Sequence, residues 1–179
     1  YYKKDGLIGH ATYRMVPGME ASTGSLGHGL GIGVGMAYAA KLDGESYRVF
    51  VVVGDGECNE GSIWEAALAA HQWKLDNLVV IVDANKIQGC GTTSDILSLE
   101  PFKGKWESFG WAAKEVDGHS LGELHAALQQ VPFESAKPSV LIAHTVKGKG
   151  VSFMENTVEW HYKSPDAAQY EQALNEFID

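Results

Sequence analysis

The chain has 179 residues, 45% of them hydrophobic, and a formal net charge of −9 at pH 7. This length predicts a single domain spanning residues 1–179, with enough apolar residues for a sizeable core. The negative charge argues against nonspecific binding to nucleic acid or to anionic membranes. Cys58 and Cys90 form no Cys-x-x-Cys pair, and no signal peptide or membrane-length apolar stretch is visible. We therefore predict a reducing, cytoplasmic setting.

Hydrophobic periodicity predicts strands and helices that alternate along the chain. We predict strands at 48–53, 78–82, 111–116 and 139–145. A Gly-rich loop and helix are predicted within 22–42, and further helices at 62–74, 106–109, 120–130 and 165–178. Two pairs of residues have the spacing of capping boxes: Ser62 with Glu65, and Ser120 with Glu123. Residues 89–104 are predicted to form a loop. The alternation predicts an α/β fold, a parallel sheet with helices on both faces.

Polar residues follow the first two predicted strands. Gly54-Asp55-Gly56 comes directly after the first strand, and Asp83-Ala84-Asn85 follows the second. Because ligands bind at the carboxyl edge of an open parallel sheet, we expect these groups to lie close together. A carboxylate and a carboxamide at that edge favour Mg²⁺ holding a diphosphate.

Five motifs in a fixed order resemble a known family. They are Gly-Met-Glu-Ala-Ser-Thr-Gly-Ser-Leu-Gly at 18–27, Gly-Asp-Gly-Glu-Cys-Asn-Glu-Gly at 54–61, Asp-Ala-Asn-Lys at 83–86, His-Thr-Val-Lys-Gly-Lys-Gly at 144–150 and Glu-Trp-His at 159–161. These motifs are similar to those of the N-terminal, thiamine-diphosphate-binding part of transketolases. The resemblance covers nearly the whole chain.

The resemblance implies a metal and cofactor site. Mg²⁺ would be bound by the Asp55 carboxylate, the Asn85 side-chain oxygen and the Ile87 backbone carbonyl. The residues implied to contact thiamine diphosphate are Gly24, Ser25 and Leu26 at its rings, together with Gly54, Asp55, Gly56, Glu57, Asn85, Ile87 and His161. Two alternatives stay open: a βα turn capped by Asp55, and a helix cap at Ser22 or Thr23, which can coexist with ring contact.

Three residues are implied to take part in catalysis. His10 matches a histidine that contacts donor hydroxyls, although Ala11 and Thr12 depart from the family's usual Gly-His-Pro-Glu. His161 matches one that assists proton transfer, and Glu60 one that shares a proton with an activating Glu of a partner. Glu60 could instead be a solvated residue at a helix N-terminus. Lys147 and Lys149 could touch phosphate or form a solvated turn.

The resemblance also implies a partner. The chain opens without Met, so we expect a missing N-terminal segment, and it ends after a predicted helix in what resembles a natural stop. It resembles the N-terminal subunit of a split transketolase, whose second subunit would carry the pyrimidine-binding and C-terminal domains in an α2β2 assembly. Such an enzyme moves a two-carbon ketol unit from a ketose or ketose phosphate to an aldose. The alternatives are a component of another thiamine-diphosphate enzyme, of the deoxyxylulose-phosphate synthase or 2-oxoacid dehydrogenase type, and an inactive partner-binding scaffold.

Overall fold

The computed structural model describes residues 9, 10 and 12–177. Ala11 and the predicted end of the last helix at Ile178 lie outside them. The strands are β1 Val49–Gly54, β2 Leu78–Ala84, β3 Ile87–Gln88, β4 Gly91–Thr92, β5 Ala112–Asp117 and β6 Ser139–His144. The helices are α1 His28–Asp43, α2 Gly61–Gln72, α3 Thr93–Ile96, α4 Phe102–Ser108, α5 Leu121–Leu128 and α6 Ala167–Asn175, with 3₁₀ helices at Gly56–Asn59 and Val158–His161.

Four strands form one parallel sheet in the order β1-β2-β6-β5. Their sequences explain this, because the central residues of β2 and β6 are Val, Ile, Leu and Ala and are largely buried on both faces. β3 and β4 form a separate two-stranded antiparallel hairpin. The four predicted strands and the parallel α/β fold are confirmed.

Helices cover both faces of the sheet. α2 joins β1 to β2, whereas α5 joins β5 to β6 in the opposite direction across the sheet. Since such crossovers are right-handed, the two helices lie on opposite faces. The larger core lies on the α2 side, where α1, α2 and α4 pack against alternate strand residues. Its sheet side is formed by Val53, Val80, Val82, Val140 and Ile142. No helix in the described residues has the length and apolar character needed to cross a membrane.

Two local predictions were wrong. Segment 89–104 contains β4, α3 and the start of α4, because Phe102 and Trp106 anchor a helix in the aromatic core. Glu60, not Ser62, occupies the N-cap of α2, since the Ser62 hydroxyl donates instead to the Gly27 carbonyl at 3.0 Å.

Two other caps are also informative. Gly27, which has no side chain to cap with, occupies the N-cap of α1, so a cap at Ser22 or Thr23 is excluded. Ser120 does cap α5, but the Glu123 carboxylate turns away to accept from the Asp117 N–H at 3.0 Å. Only half of that predicted capping box therefore forms.

Candidate functional site

Asp55 joins the two turns that the sequence predicted to be neighbours. It follows β1 directly, and its Oδ1 accepts from the Gly56 N–H at 2.7 Å. Its Oδ2 accepts from the Lys86 N–H at 2.6 Å, across 31 residues of sequence. The two turns thus meet at the carboxyl edge of the sheet.

Asp55 is a buried carboxylate, with only 4% of its surface exposed. Burial raises its pKa and nearby Asp83 adds to the rise, whereas the Lys86 and Gly56 N–H groups oppose it. None of the ion pairs among the described residues includes Asp55. A buried carboxylate that receives only neutral donors is stabilised by a nearby cation, so the site suits a metal ion.

The Asn85–Ile87 turn supplies neutral oxygens beside Asp55. The Asn85 Oδ1 accepts from the Ile87 N–H at 3.0 Å, which orients the carboxamide. Lys86 between them has a left-handed φ of 67°, and Ile87 pairs with Thr92 in the hairpin. Within the described residues no three His, Cys, Asp or Glu side chains could hold a metal on their own. One carboxylate with neutral oxygens fits Mg²⁺, which completes its shell with phosphate and water oxygens.

The Gly-rich loop before α1 docks against the residues that follow β1. The Gly27 N–H donates to Glu57 Oε1 at 2.9 Å, and its carbonyl accepts from the Ser62 hydroxyl. Gly27 has a φ of 84°, and a Cβ there would lie 2.5 Å from Ser62 Oγ. Both the backbone conformation and the close approach therefore require glycine at this position.

His10 packs against the same loop. A Cβ at Gly24 would lie 2.9 Å from His10 Cδ2, so the ring rests directly on this glycine. A depression of about 460 Å³ opens here, lined by His10, Ser22, Thr23, Gly24, Ser25, His28 and Ile32. Leu26 remains 63% exposed beside it. The structure thus brings His10, Gly24 and Ser25 together.

His161 reaches the other side of the site. It ends the second 3₁₀ helix, which contacts β3 next to the Asn85–Ile87 turn. Its Nδ1 is buried and has no hydrogen-bond partner among the described residues. Burial lowers the pKa of His161, and the charge of Lys147 lowers it further. A neutral imidazole is suited to accept or donate a proton.

Glu60 and the two lysines differ in their surroundings. Glu60 is exposed, makes no capping hydrogen bond, and lies against Gly27. Lys149 pairs with Glu155 at 3.6 Å, which favours the solvated-turn interpretation for that lysine. Lys147, in contrast, lies near enough to His161 for its charge to lower the pKa of that histidine.

Two features of the site were missed from sequence. The Glu57 carboxylate accepts backbone N–H groups from Gly27 and from Gly54, the latter at 3.0 Å, and this bridge was not predicted; the contact of Glu57 with the cofactor stays a prediction. Gln88 packs on Gly56, where a Cβ would lie 2.8 Å from Gln88 Cβ, and its Nε2 is buried without a described partner. No sequence signal marks either, because the partners are backbone groups or depend on the register of a two-residue strand.

Comparison with known proteins agrees with this geometry. Residues 5–176 match the family model described as transketolase, thiamine diphosphate binding domain. The chain is 49% identical to an apulose-4-phosphate transketolase subunit of Phocaeicola vulgatus over 170 residues, 95% of this chain and 60% of that protein. It is 41% identical to 6-deoxy-6-sulfo-D-fructose transketolase subunit SqwG of a Clostridium species, over 87% of this chain and 56% of that protein. The chain thus spans about three fifths of the length of these relatives.

Solved structures show the same fold. Transketolase from Campylobacter jejuni superposes with a TM-score of 0.82 at 29% identity, over 90% of this chain and 27% of that one. Transketolase from Pichia stipitis, in complex with sedoheptulose 7-phosphate, gives 0.80 at 28% identity, over 92% and 26%. On the family match and these relatives, the chain belongs to the thiamine-diphosphate-binding domain family of transketolases.

Proposed function

We propose that this chain is the thiamine-diphosphate-binding subunit of a split transketolase, which moves a two-carbon ketol unit from a ketose to an aldose. Family membership supports the binding of thiamine diphosphate. Relatives from two organisms are named as single subunits of an apulose-4-phosphate transketolase, which supports the division into two chains. The observation that carries the proposal is buried Asp55, hydrogen-bonded to Lys86 at the carboxyl edge of the sheet. That arrangement suits Mg²⁺ bound to a diphosphate.

Each part of the site has a role in this proposal. Asp55, Asn85 and the Ile87 carbonyl would hold Mg²⁺, while Gly54 and Gly56 let the backbone approach the diphosphate. Gly24, Ser25 and Leu26 would contact the cofactor rings. Thiamine diphosphate, when bound, would supply a carbon nucleophile for the ketose carbonyl and an acceptor for the electrons of the adjacent C–C bond as it breaks.

The protein's own side chains would manage protons and substrate hydroxyls. His161, with its lowered pKa, would exchange a proton with the substrate or stabilise one of its oxygens. His10, exposed on Gly24, would bind hydroxyls of the donor sugar. Exposed Glu60 would face the activating Glu of a partner subunit.

The assembly and setting are proposed on the same basis. Leu26, at the cofactor loop, and Ile32, on the adjoining face of α1, are exposed apolar side chains. We propose that a second subunit with the pyrimidine-binding and C-terminal domains covers this side in an α2β2 enzyme. Residues 1–179 would form one domain of it. The two cysteines are free thiols, which supports a cytoplasmic setting.

Native mass spectrometry of the protein purified from its source tests the assembly. We expect two copies of this chain with two of a larger partner, and thiamine diphosphate with Mg²⁺ bound. A lone chain or homodimer without cofactor would contradict the proposal and favour a scaffold.

Ketol transfer by the purified complex tests the reaction. Suitable donors are those named for relatives and neighbours: apulose 4-phosphate, 6-deoxy-6-sulfo-D-fructose and sedoheptulose 7-phosphate. Release of an aldose that depends on an acceptor is the expected result. Decarboxylation of pyruvate without ketose cleavage would assign the chain to another class of thiamine-diphosphate enzyme.

The Asp55→Ala variant tests the metal site. We expect it to abolish Mg²⁺-dependent cofactor binding, since it removes the only carboxylate of the proposed ligand set, while the chain stays folded. Isothermal calorimetry of the assembled enzyme measures binding, and circular dichroism checks the fold. Glu65→Gln, which removes an exposed charge from α2, is the control. Unchanged binding by Asp55→Ala would refute the site.

A further inference from the structure

We propose that Glu57 is a positioning residue that fixes the cofactor's ring loop, residues 24–27, to the turn at the end of β1. This inference rests on the proposed function, because it concerns how the same site is held in shape. It assigns Glu57 a role through the backbone, in addition to the direct contact with the cofactor that the resemblance implies.

The two carboxylate oxygens of Glu57 have different partners. Oε1 accepts from the Gly27 N–H at 2.9 Å, and Oε2 accepts from the Gly54 N–H at 3.0 Å. Gly27 and Gly54 lie 27 positions apart in sequence; Gly27 is the N-cap of α1, and Gly54 is the last residue of β1. A single side chain therefore sets the spacing between the loop proposed to hold the cofactor rings and the turn proposed to hold its diphosphate.

The chemistry of this bridge requires a carboxylate of this length. Two N–H donors need two acceptors, and an ionised carboxylate supplies both, with stronger hydrogen bonds than a neutral group. Gln offers one acceptor and would point its amide N–H toward the other donor. Asp has the charge but lacks one methylene, so it cannot span the same two groups.

Other contacts of Gly27 make the bridge specific. Ser62 donates to the Gly27 carbonyl, and Glu60 packs against its α-carbon. The loop is thus held from both its N–H and its carbonyl side. With both Glu57 oxygens already accepting backbone N–H groups, its charge is partly balanced and it serves the site through geometry.

The Glu57→Gln variant tests this in the complex of the full-length chain with its partner subunit. We expect the dissociation constant of thiamine diphosphate to rise roughly tenfold at saturating Mg²⁺. At saturating cofactor, kcat should fall while the KM for the ketose changes little, because the rings are misplaced and the sugar contacts remain. Amide hydrogen exchange of the cofactor-free complex should quicken at Gly27 and Gly54.

Two further variants complete the design. Glu65→Gln makes the same charge change on the exposed face of α2, where Glu65 has no hydrogen bond or ion pair to other described residues, and should leave all three readouts unchanged. Ser62→Ala releases the Gly27 carbonyl but keeps both Glu57 bonds. It should raise the cofactor dissociation constant in the same direction but less, by roughly two- to threefold.

The outcomes separate this inference from the proposed function. If Glu57→Gln only lowers the melting temperature and leaves cofactor affinity and kcat unchanged, the positioning role is wrong. If Glu57→Gln fails to fold, Glu57→Asp, which keeps the charge but is too short to span both N–H groups, decides the matter: an unaltered cofactor affinity overturns the inference, and a weakened one supports it. A wild-type complex that binds no thiamine diphosphate would overturn the proposed function, and this inference with it.

Discussion

At the scale of single residues, the two cysteines lie in opposite surroundings, one buried and one exposed. Cys58 is fully buried, and its thiol donates to the Gly54 carbonyl at 3.4 Å. Burial raises the pKa of Cys58 far above its usual value, and the charges of Glu57 and Asp55 add to the rise. Cys90 is exposed in the turn between β3 and β4.

We therefore expect iodoacetamide to label Cys90 in the native chain near neutral pH and to leave Cys58 unmodified. The physical reason is that the thiolate is the reactive form, and Cys58 is kept protonated and inaccessible. Peptide mass spectrometry locates the label, and the chain in denaturant, where both thiols should react, is the control. Comparable labelling of Cys58 in the native chain would contradict its burial.

At the scale of elements, α1 approaches β1 so closely that one glycine has no room for a side chain. A Cβ at Gly33 would lie 2.4 Å from Val51 Cγ2, and the β-branched valine has little freedom to move away. Gly35, one half-turn along the same helix, has nothing within 4 Å of a Cβ among the described residues. The spaced glycines of this helix therefore serve different purposes.

Alanine substitutions at these two positions should have opposite effects. Gly33→Ala should lower the free energy of unfolding by about 1–3 kcal/mol through overpacking. Gly35→Ala should raise it by about 0.5–1 kcal/mol through helix propensity. Urea denaturation of the two variants and the wild type measures both, and Gly35→Ala is the matched control. A stabilising Gly33→Ala would contradict the described packing of α1 on β1.

The strands, helices and turns also show how much of the fold and of the site could be predicted from the sequence. The strands β2 and β6 were predicted because each contains an apolar run, Leu78 to Val82 and Val140 to Ala143. The seven-residue helix α4 was largely missed, since its two buried positions, Phe102 and Trp106, are too few to establish a period. The Asp55 and Asn85 turns were predicted to be neighbours, because each follows a parallel strand. The Glu57 bridge was not, because backbone N–H groups carry no sequence signal.

At the scale of the whole molecule, Asp76 ties three distant segments together. It lies between α2 and β2, pairs with Lys41 of α1 at 2.8 Å, and accepts from the Ala136 N–H at 3.1 Å. Burial alone would raise the pKa of Asp76, but the Lys41 ammonium and the Ala136 N–H outweigh it and lower the pKa. A carboxyl group whose pKa is lowered by folding stabilises the fold in its ionised form.

The Asp76→Asn variant should therefore lose stability in a pH-dependent way. At neutral pH we expect its free energy of unfolding to fall by up to about 1 kcal/mol, since the pair is partly exposed and screened by solvent. The difference from wild type should persist above the unfolded pKa of 3.8 and fade as the pH falls through the lower folded value. Urea denaturation over a range of pH measures this.

Asp43→Asn is the matched control for Asp76→Asn. Asp43 is exposed at the end of α1 and makes no side-chain hydrogen bond or ion pair with other described residues. Asp43→Asn removes a negative charge near a helix C-terminus, and we expect this to leave the free energy of unfolding unchanged or to raise it slightly. An equal fall in the free energy of unfolding in the two variants would show that the change in net charge, and not the contacts of Asp76 with Lys41 and Ala136, is responsible.

The position of β1 at the rim of the sheet has a practical consequence for making this protein. Within residues 9, 10 and 12–177 only β2 pairs with β1, and its Phe50 and Val52 are 51% and 68% exposed. An open strand edge with uncharged, β-branched and aromatic side chains is the kind of segment that nucleates aggregation. We therefore expect the chain to aggregate more readily wherever this rim is left uncovered, in a cell and in an expression host alike.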